Sequence, residues 1–407
     1  MFLPATPLQG ERPIQLLQGS AEFFPALVAA VDRARIEVRL ETYIFDFTSS
    51  AAGVAHALMR AARRGVTVQL VVDGVGTGPL PPEWRARFEQ AGVQWRVYSS
   101  LGPLGLLLPR RWRRLHRKLC AVDGAVAYCG GINILDDLHD PHHGALALPR
   151  LDFAVRVSGV LAQQVQDVMA QLWRHLQAVR DGRPRPFPAA PGAPRVSRGS
   201  RRDARRAARA SAGGAQAAWA ALLLRDNLRH RSRIEKAYRR AIGEARREVI
   251  IANAYFLPGR KLRRALMMAA RRGVRVQLLL QGKYEYFMQY HAARPVYGAL
   301  LGSGVEIYEY AASFLHAKVA VVDGHWTTVG SSNLDPLSLL LAREANVVVN
   351  DAGLAGELRG RLVRAMTEGG RRVDAAHYAA RPWRQRLRDR VAFGLMRAAL
   401  FLTGYRY

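Results

Sequence analysis

The apolar positions of the chain fall alternately on a helical and an extended period. Over residues 20–35, Phe23, Phe24, Leu27, Val28 and Val31 recur at helical spacing, which predicts a helix whose regular part begins at Pro25. Residues 36–44 are rich in Val, Leu and Ile and predict a strand carrying Glu41, Thr42 and Tyr43 near its end. A helix over residues 52–64 leads through Gly65 into residues 66–74, whose nearly continuous apolar run predicts a buried strand. A helix over 83–91 and a short strand over 93–98 follow. Strand, helix, strand in this order predicts a parallel sheet with a crossover helix.

The pattern then returns. Residues 245–256 parallel residues 34–45, and Ala269-Ala270-Arg271-Arg272-Gly273-Val274 matches Ala61-Ala62-Arg63-Arg64-Gly65-Val66. A period this long predicts a duplicated domain, not a solenoid. Two halves facing each other across a pseudo-twofold axis would bring equivalent residues into one cleft. Between them, residues 181–215 are rich in Pro, Ala, Gly and Arg with no strand pattern, and read as a surface linker of a composition that suits disorder. The expected class is α/β, with two mixed or parallel sheets flanked by helices. The expected organisation is a first half over 1–180, the linker, a second half over 216–380 and a basic amphipathic tail over 381–407.

The duplication also carries polar residues. Leu115-His116-Arg117-Lys118-Leu119-Cys120-Ala121-Val122-Asp123 and Leu315-His316-Ala317-Lys318-Val319-Ala320-Val321-Val322-Asp323 both place His, Lys and Asp at i, i+2 and i+7. Gly130-Gly131-Ile132-Asn133 and Gly330-Ser331-Ser332-Asn333 trail them. On a strand, His and Lys at i and i+2 share one face, and neither is cheaply desolvated unless paired. One copy alone reads equally well as a half-exposed edge strand. Two copies with the same trailing Gly and Asn point to a site.

Composition narrows the partner. Subtracting 32 acidic from 61 basic residues leaves +29, which calls for an anionic partner: nucleic acid or an anionic membrane surface. The two cysteines, Cys120 and Cys129, suggest neither a disulfide framework nor a zinc site, and Cys120 is expected to pack as a small apolar residue. No basic segment followed by an apolar one marks a secretory signal, and no stretch reaches the ~20 apolar residues of a spanning helix. The expected location is the cytoplasmic face of the cell membrane, peripherally bound. Two stretches are amphiphilic: Leu104, Leu106, Leu107 and Leu108 beside Arg110, Arg111, Arg113 and Arg114, and residues 386–407, where Val391, Phe393, Leu395 and Leu400 mix with Arg386, Arg388, Arg390 and Arg397. Each suits either a membrane interface or packing on its own domain.

A neutral histidine can attack phosphorus and a protonated one can give a proton to a departing oxygen, so two in one cleft permit a two-step displacement through a phosphohistidine. Lys118 and Lys318 would supply positive charge, and Asn133, Asn333 and the Ser331 hydroxyl would donate hydrogen bonds to phosphoryl oxygens. No metal or cofactor is expected. Each histidine needs an orienting acceptor, and Asp152 and Glu344 open two apolar strands at matching places. Which histidine each serves stays open. Asp123 and Asp323 precede Gly124 and Gly324 and are expected to hold turns that support the site.

The doubled His-x-Lys with its Asp and the following Gly and Asn resembles the phospholipase D superfamily, over nearly the whole chain apart from linker and tail. More narrowly, Leu40-Glu41-Thr42-Tyr43, Arg225-Asp226-Asn227 and Asn253-Ala254-Tyr255-Phe256-Leu257-Pro258 are similar to bacterial cardiolipin synthases of the B type. The resemblance implies a duplicated phospholipase D-like domain and a phosphatidyltransferase. It implies His116, Lys118, Asp123, His316, Lys318 and Asp323 as the catalytic motif residues, with His116 the nucleophile and His316 the general acid, then base. Its substrates would be phosphatidylglycerol as acceptor and phosphatidylglycerol or phosphatidylethanolamine as donor. Hydrolysis is the nearest rival, since water differs from an alcohol only in which reaches the intermediate. A nuclease suits the charge but not the amphiphilic stretches, and a binding module without activity would be expected to have lost a His or Lys.

Overall fold

The computed structural model of the 407-residue chain describes residues 5–8, 13–100, 112–140, 143–182, 218–226, 232–283, 287–335 and 342–402. The apolar run at 104–108, the linker beyond Gly182 and the last five residues lie outside them. The first half runs β1 (Thr6–Pro7), β2 (Ile14–Gln18), α1 (Gly19–Arg33), β3 (Glu37–Thr42), α2 (Ser49–Arg63), β4 (Thr67–Asp73), α3 (Pro82–Ala91) and β5 (Gln94–Tyr98). It continues through β6 (Arg114–Leu115), β7 (Leu119–Val122), β8 (Val126–Gly130), β9 (His139–Asp140), β10 (Gly144–Ala145), β11 (Phe153–Ser158) and α4 (Val160–Arg180). The second half runs β12 (Trp219–Arg225), α5 (Arg233–Glu244), β13 (Glu248–Asn253), α6 (Arg260–Arg271), β14 (Arg275–Gln281), α7 (Phe287–Leu301) and β15 (Glu306–Tyr310). Then come β16 (Lys318–Val322), β17 (Trp326–Gly330), β18 (Ala342–Asn350), α8 (Ala352–Gly369), β19 (Gly370–Arg372), α9 (Ala375–Ala379) and α10 (Trp383–Leu402).

The two sheets have the same internal order, β2-β11-β8-β7-β3-β4-β5 and β12-β18-β17-β16-β13-β14-β15, with β1 and β19 added at the edges of the second. Both are mixed. The crossovers predicted from the helix and strand periods give the parallel runs β3-β4-β5 and β13-β14-β15, whereas the motif strands β7 and β16 join antiparallel to β3 and β13. Helices α1 to α3 cover the outer face of the first sheet with Phe23, Leu27, Val54 and Leu58, and α5 to α7 cover the second with Ile234, Leu262 and Leu266. The inner faces meet in one shared core to which Ala121, Val155 and Val165 come from the first half and Ile250, Val319, Val347 and Leu358 from the second. That common core leaves little freedom between the halves.

Three local expectations change. Helix α1 starts at Gly19 and runs through Pro25 instead of beginning there, because Phe23, Phe24 and Leu27 are buried on both sides of the proline and outweigh the one lost backbone bond. Thr6–Pro7 pairs with β12, so the start of the first half extends the second sheet. The histidines are also not on regular strand, since β7 begins at Leu119 and β16 at Lys318. Their backbones are committed to the opposite half: His116 N–H donates to Arg343 O (3.1 Å) and His316 N–H to Leu151 O (2.9 Å).

Candidate active site

Each half holds its motif segment by the same device. β6 runs parallel to β18 of the other half, and Leu315 bridges Leu151 in the same sense. Behind β6, buried Asp73 accepts the Leu115 N–H (2.7 Å) and pairs with Arg114 (3.1 Å); at the matching place Gln281 accepts the Leu315 N–H (3.3 Å). The chain then turns so that Lys118 Nζ donates to His116 O (2.8 Å), as Lys318 Nζ does to His316 O. Both lysines are buried, Lys318 completely.

The carboxylates cross over. His116 Nδ1 lies 3.1 Å from Glu344 Oε2, and His316 Nδ1 lies 2.6 Å from Asp152 Oδ2. Asp152 and Glu344 are 2% and 0% exposed, so neither competes with water for its ring. A carboxylate on Nδ1 fixes the ring and leaves Nε2 as the reactive nitrogen. Burial pulls both histidines below their ordinary value, His316 furthest, with Lys318, Lys118, Arg150 and His116 adding to the effect. Burial likewise brings Lys118 down to about 7, with repulsion from Lys318. His116, Lys118 and His316 each feel a charged motif residue of the other half, in keeping with the crossed carboxylate pairs that join the two halves at this place.

The two carboxylates are not alike. Burial pushes Glu344 up, but His116, Arg225 and Lys118 outweigh it and hold it below the ordinary value. Asp152 is pushed up to about 7 by burial, which Lys318 and its own Phe153 N–H only partly offset. The turns beside the two carboxylates also differ. Ser331, expected on the phosphate, instead donates to Glu344 Oε2 (2.5 Å) and accepts the Ala345 N–H (3.1 Å). At the matching place Gly131 is obligatory, because a Cβ there would stand 2.2 Å from Asp152 Oδ1. In both turns the residue at this place bears on the orienting carboxylate, Ser331 on Glu344 and Gly131 on Asp152.

The remaining sequence candidates separate. Asn133 and Asn333 lie buried at the ends of the two turns; Asn133 Oδ1 accepts the Ile44 N–H (3.1 Å), while Asn333 Oδ1 has no partner among the described residues. Asp123 and Asp323 are not brought to the histidines. They sit at the far ends of β7 and β16 with φ of 53° and 52°, and each accepts three backbone N–H groups, from Arg35, Ile36 and Glu37 and from Arg246, Arg247 and Glu248. Cys120 and Cys129 are buried and unpaired, their thiols pushed up to about 12 by burial.

Three contributors were named in the sequence reading but given no role in the site. Arg225 closes the apolar β12 opposite Glu344 and is 2% exposed, with Nη1 3.4 Å from Ser332 Oγ. A charged residue ending a run of three leucines was its signal. Tyr43 packs its ring 5.0 Å from His116 and lies 5.4 Å from Lys118 Nζ, a cation–π distance. Arg117 pairs with Glu41 (2.7 Å) beside His116, where the second half has Ala317 and Ala252.

A family model described as cardiolipin synthase, PLD-like domain, matches residues 27–173 and 238–366. The chain is 36% identical over 403 residues to cardiolipin synthase B of Salmonella typhi and, to the same extent, of Escherichia coli K12, covering 96% of this chain and 89% of each relative. Among solved structures, the phosphatidylserine synthase of Haemophilus influenzae Rd KW20 superposes with a TM-score of 0.66 at 13% identity, over 98% of this chain and 96% of that one, and shares the fold.

Proposed function

The chain belongs to the cardiolipin synthase, phospholipase D-like family of phosphatidyltransferases, and on that footing we propose that it moves the phosphatidyl group of one phospholipid, by way of His116, onto the glycerol hydroxyl of phosphatidylglycerol. His116 Nε2 attacks phosphorus; the P–O bond to the head-group alcohol breaks, and the alcohol leaves with a proton from His316 Nε2. His316 then takes the proton of the incoming glycerol hydroxyl, whose oxygen displaces His116 to give cardiolipin. The donor is phosphatidylglycerol or phosphatidylethanolamine, presented at the cytoplasmic face of an anionic membrane. None of the described helices is long and apolar enough to cross one.

The observation that carries this reading is the crosswise pairing of two histidines with two unlike carboxylates. Glu344 is kept ionised beside His116, which suits a ring that becomes cationic when Nε2 bonds phosphorus. Asp152, pushed up to about 7, shares a proton with His316 near neutrality, as a group that must give and regain one requires. Lys118, Lys318 and the Asn133 and Asn333 amides would receive the phosphoryl oxygens. Asp123 and Asp323 support the strands that carry them.

The test is incubation with labelled phosphatidylglycerol vesicles and resolution of the lipid products. Cardiolipin with free glycerol is expected, and His116→Ala and His316→Ala should each abolish it with the fold retained. Phosphatidic acid alone would make the enzyme a hydrolase. Substantial transfer by either alanine variant would refute the two-histidine route.

A further inference from the structure

Helix α10 is packed on one side and bare on the other. Its inward side places Ala392 and Asp389, 2% and 3% exposed, with Phe393 against the second half's outer layer, where α10 lies along α7. Asp389 Oδ1 is 2.8 Å from Nδ1 of His291 in α7, and Oδ2 is 3.0 Å from Arg381, which fixes the helix about its own axis. Asp389 is the only carboxylate of the helix and is turned inward. On the opposite side Trp383, Leu387, Val391 and Leu395 follow one another at every fourth residue, 63%, 52%, 52% and 57% exposed. At helical spacing Arg386 and Arg390 border this stripe on one side and Arg384 and Arg388 on the other, all exposed.

We propose that α10 is an in-plane docking element for an anionic phospholipid bilayer, its stripe among the upper acyl chains and its arginines on the phosphates. The inference rests on the phospholipid-substrate reading above, because a bilayer is what presents such a substrate. The helix's outward charge is wholly positive, which complements anionic headgroups. A second copy of α10 would instead set these arginines against their own equivalents.

The rest of the layer agrees. Helix α6, which borders α7, carries Arg260, Lys261, Arg263, Arg264 and Arg271 without a carboxylate, and exposes Met268. Its counterpart α2 carries only Arg60 and Arg63 and packs on its own sheet equally well, so the fold does not require the extra cations.

The experiment uses the full chain and vesicle flotation with phosphatidylglycerol and phosphatidylcholine, mixed or phosphatidylcholine alone. Because Leu387 and Val391 are exposed, Leu387→Ser with Val391→Ser should leave the circular dichroism unchanged and weaken binding to mixed vesicles by about tenfold or more. Arg386→Gln with Arg390→Gln should weaken it by about tenfold, only on the anionic vesicles, and lower its salt sensitivity. Turnover of short-chain phosphatidylglycerol dispersed as monomers should be unchanged in both, which separates loss of docking from loss of chemistry. Unchanged flotation of the serine variant, or no flotation of the parent protein, would overturn the proposal. So would a parent dimer that the serine variant dissolves, since the stripe would then be a self-association face.

Discussion

Oε2 of Glu344 lies 3.1 Å from Nδ1 of His116, although 228 positions separate them in the chain. The acceptor that fixes the first histidine is therefore delivered by the second half, and neither half alone carries a complete histidine pair. On the proposed mechanism, the charge of Glu344, not only its shape, is what His116 needs when the ring becomes cationic. Glu344→Gln should lower kcat by on the order of 10²–10⁴ with KM little changed. Steady-state rates across pH check this, since a merely structural role would leave the profile in place.

The turns preceding the asparagines should not be interchangeable. Gly131→Ser would drive a side chain onto Asp152, whose Oδ1 stands 2.2 Å from the added Cβ. We expect it to lower stability by ~1–3 kcal/mol and to impair His316. Ser331→Gly removes the hydroxyl that donates to Glu344 Oε2. We expect a rate loss of about tenfold to a hundredfold, the worth of one bond to a charged group, with stability less affected. Thermal unfolding and kcat measured on the same two variants separate the cases.

Asp123 and Asp323 test the difference between motif and mechanism. Each holds three backbone N–H groups in a left-handed turn at the far end of its strand. Asp323→Ala should cost ~1–3 kcal/mol of stability while kcat below the melting temperature changes by only a few fold. These N–H donors also depress the Asp323 carboxyl despite the opposing effect of its burial. Its contribution is present above the unfolded value of 3.8 and is lost as pH falls through the depressed folded value, so parent and variant should converge in acid. A thousandfold loss of turnover at neutral pH would place these aspartates in the chemistry after all.

Much of this was legible in the residues. The repeat of Ala61-Ala62-Arg63-Arg64-Gly65 at 269–273 announced the duplication, and the two sheets share their internal strand order. The matched openings at Asp152 and Glu344 identified the carboxylates, but the crossover did not show, because a strand's partner half is fixed by three-dimensional pairing and not by local period. The same cause hid the histidines' true position: residues 114–116 look like the start of one long strand, yet their hydrogen bonds run to β18. Arg225 went unassigned because its role needs the register that sets it opposite Glu344.

Anion affinity should carry the clearest pH signature. Burial brings Lys118 to about 7 and raises Asp152 to about 7, so as pH rises through that value the empty cleft loses a positive charge and gains a negative one. A bound phosphodiester favours the protonated lysine, so above pH ~7 binding must take up a proton, and affinity should fall by up to about tenfold per pH unit for each such proton. The diester keeps its single charge over this range, so the slope belongs to the protein. Folding stability shows the counterpart. Between about 7 and 10.5 the unfolded chain binds the Lys118 proton that the folded one has released, so this group's contribution to stability rises with pH. Between 3.8 and about 7 the folded chain keeps the Asp152 proton that the unfolded one loses, so that contribution falls with pH. Lys118→Met should flatten part of the affinity slope and stabilise the fold more at pH 7 than at pH 10. Calorimetric titration of a soluble phosphodiester in buffers of differing ionisation enthalpy reads the proton uptake directly; no uptake by the parent protein at pH 8 would mean that Lys118 is already charged in the empty cleft.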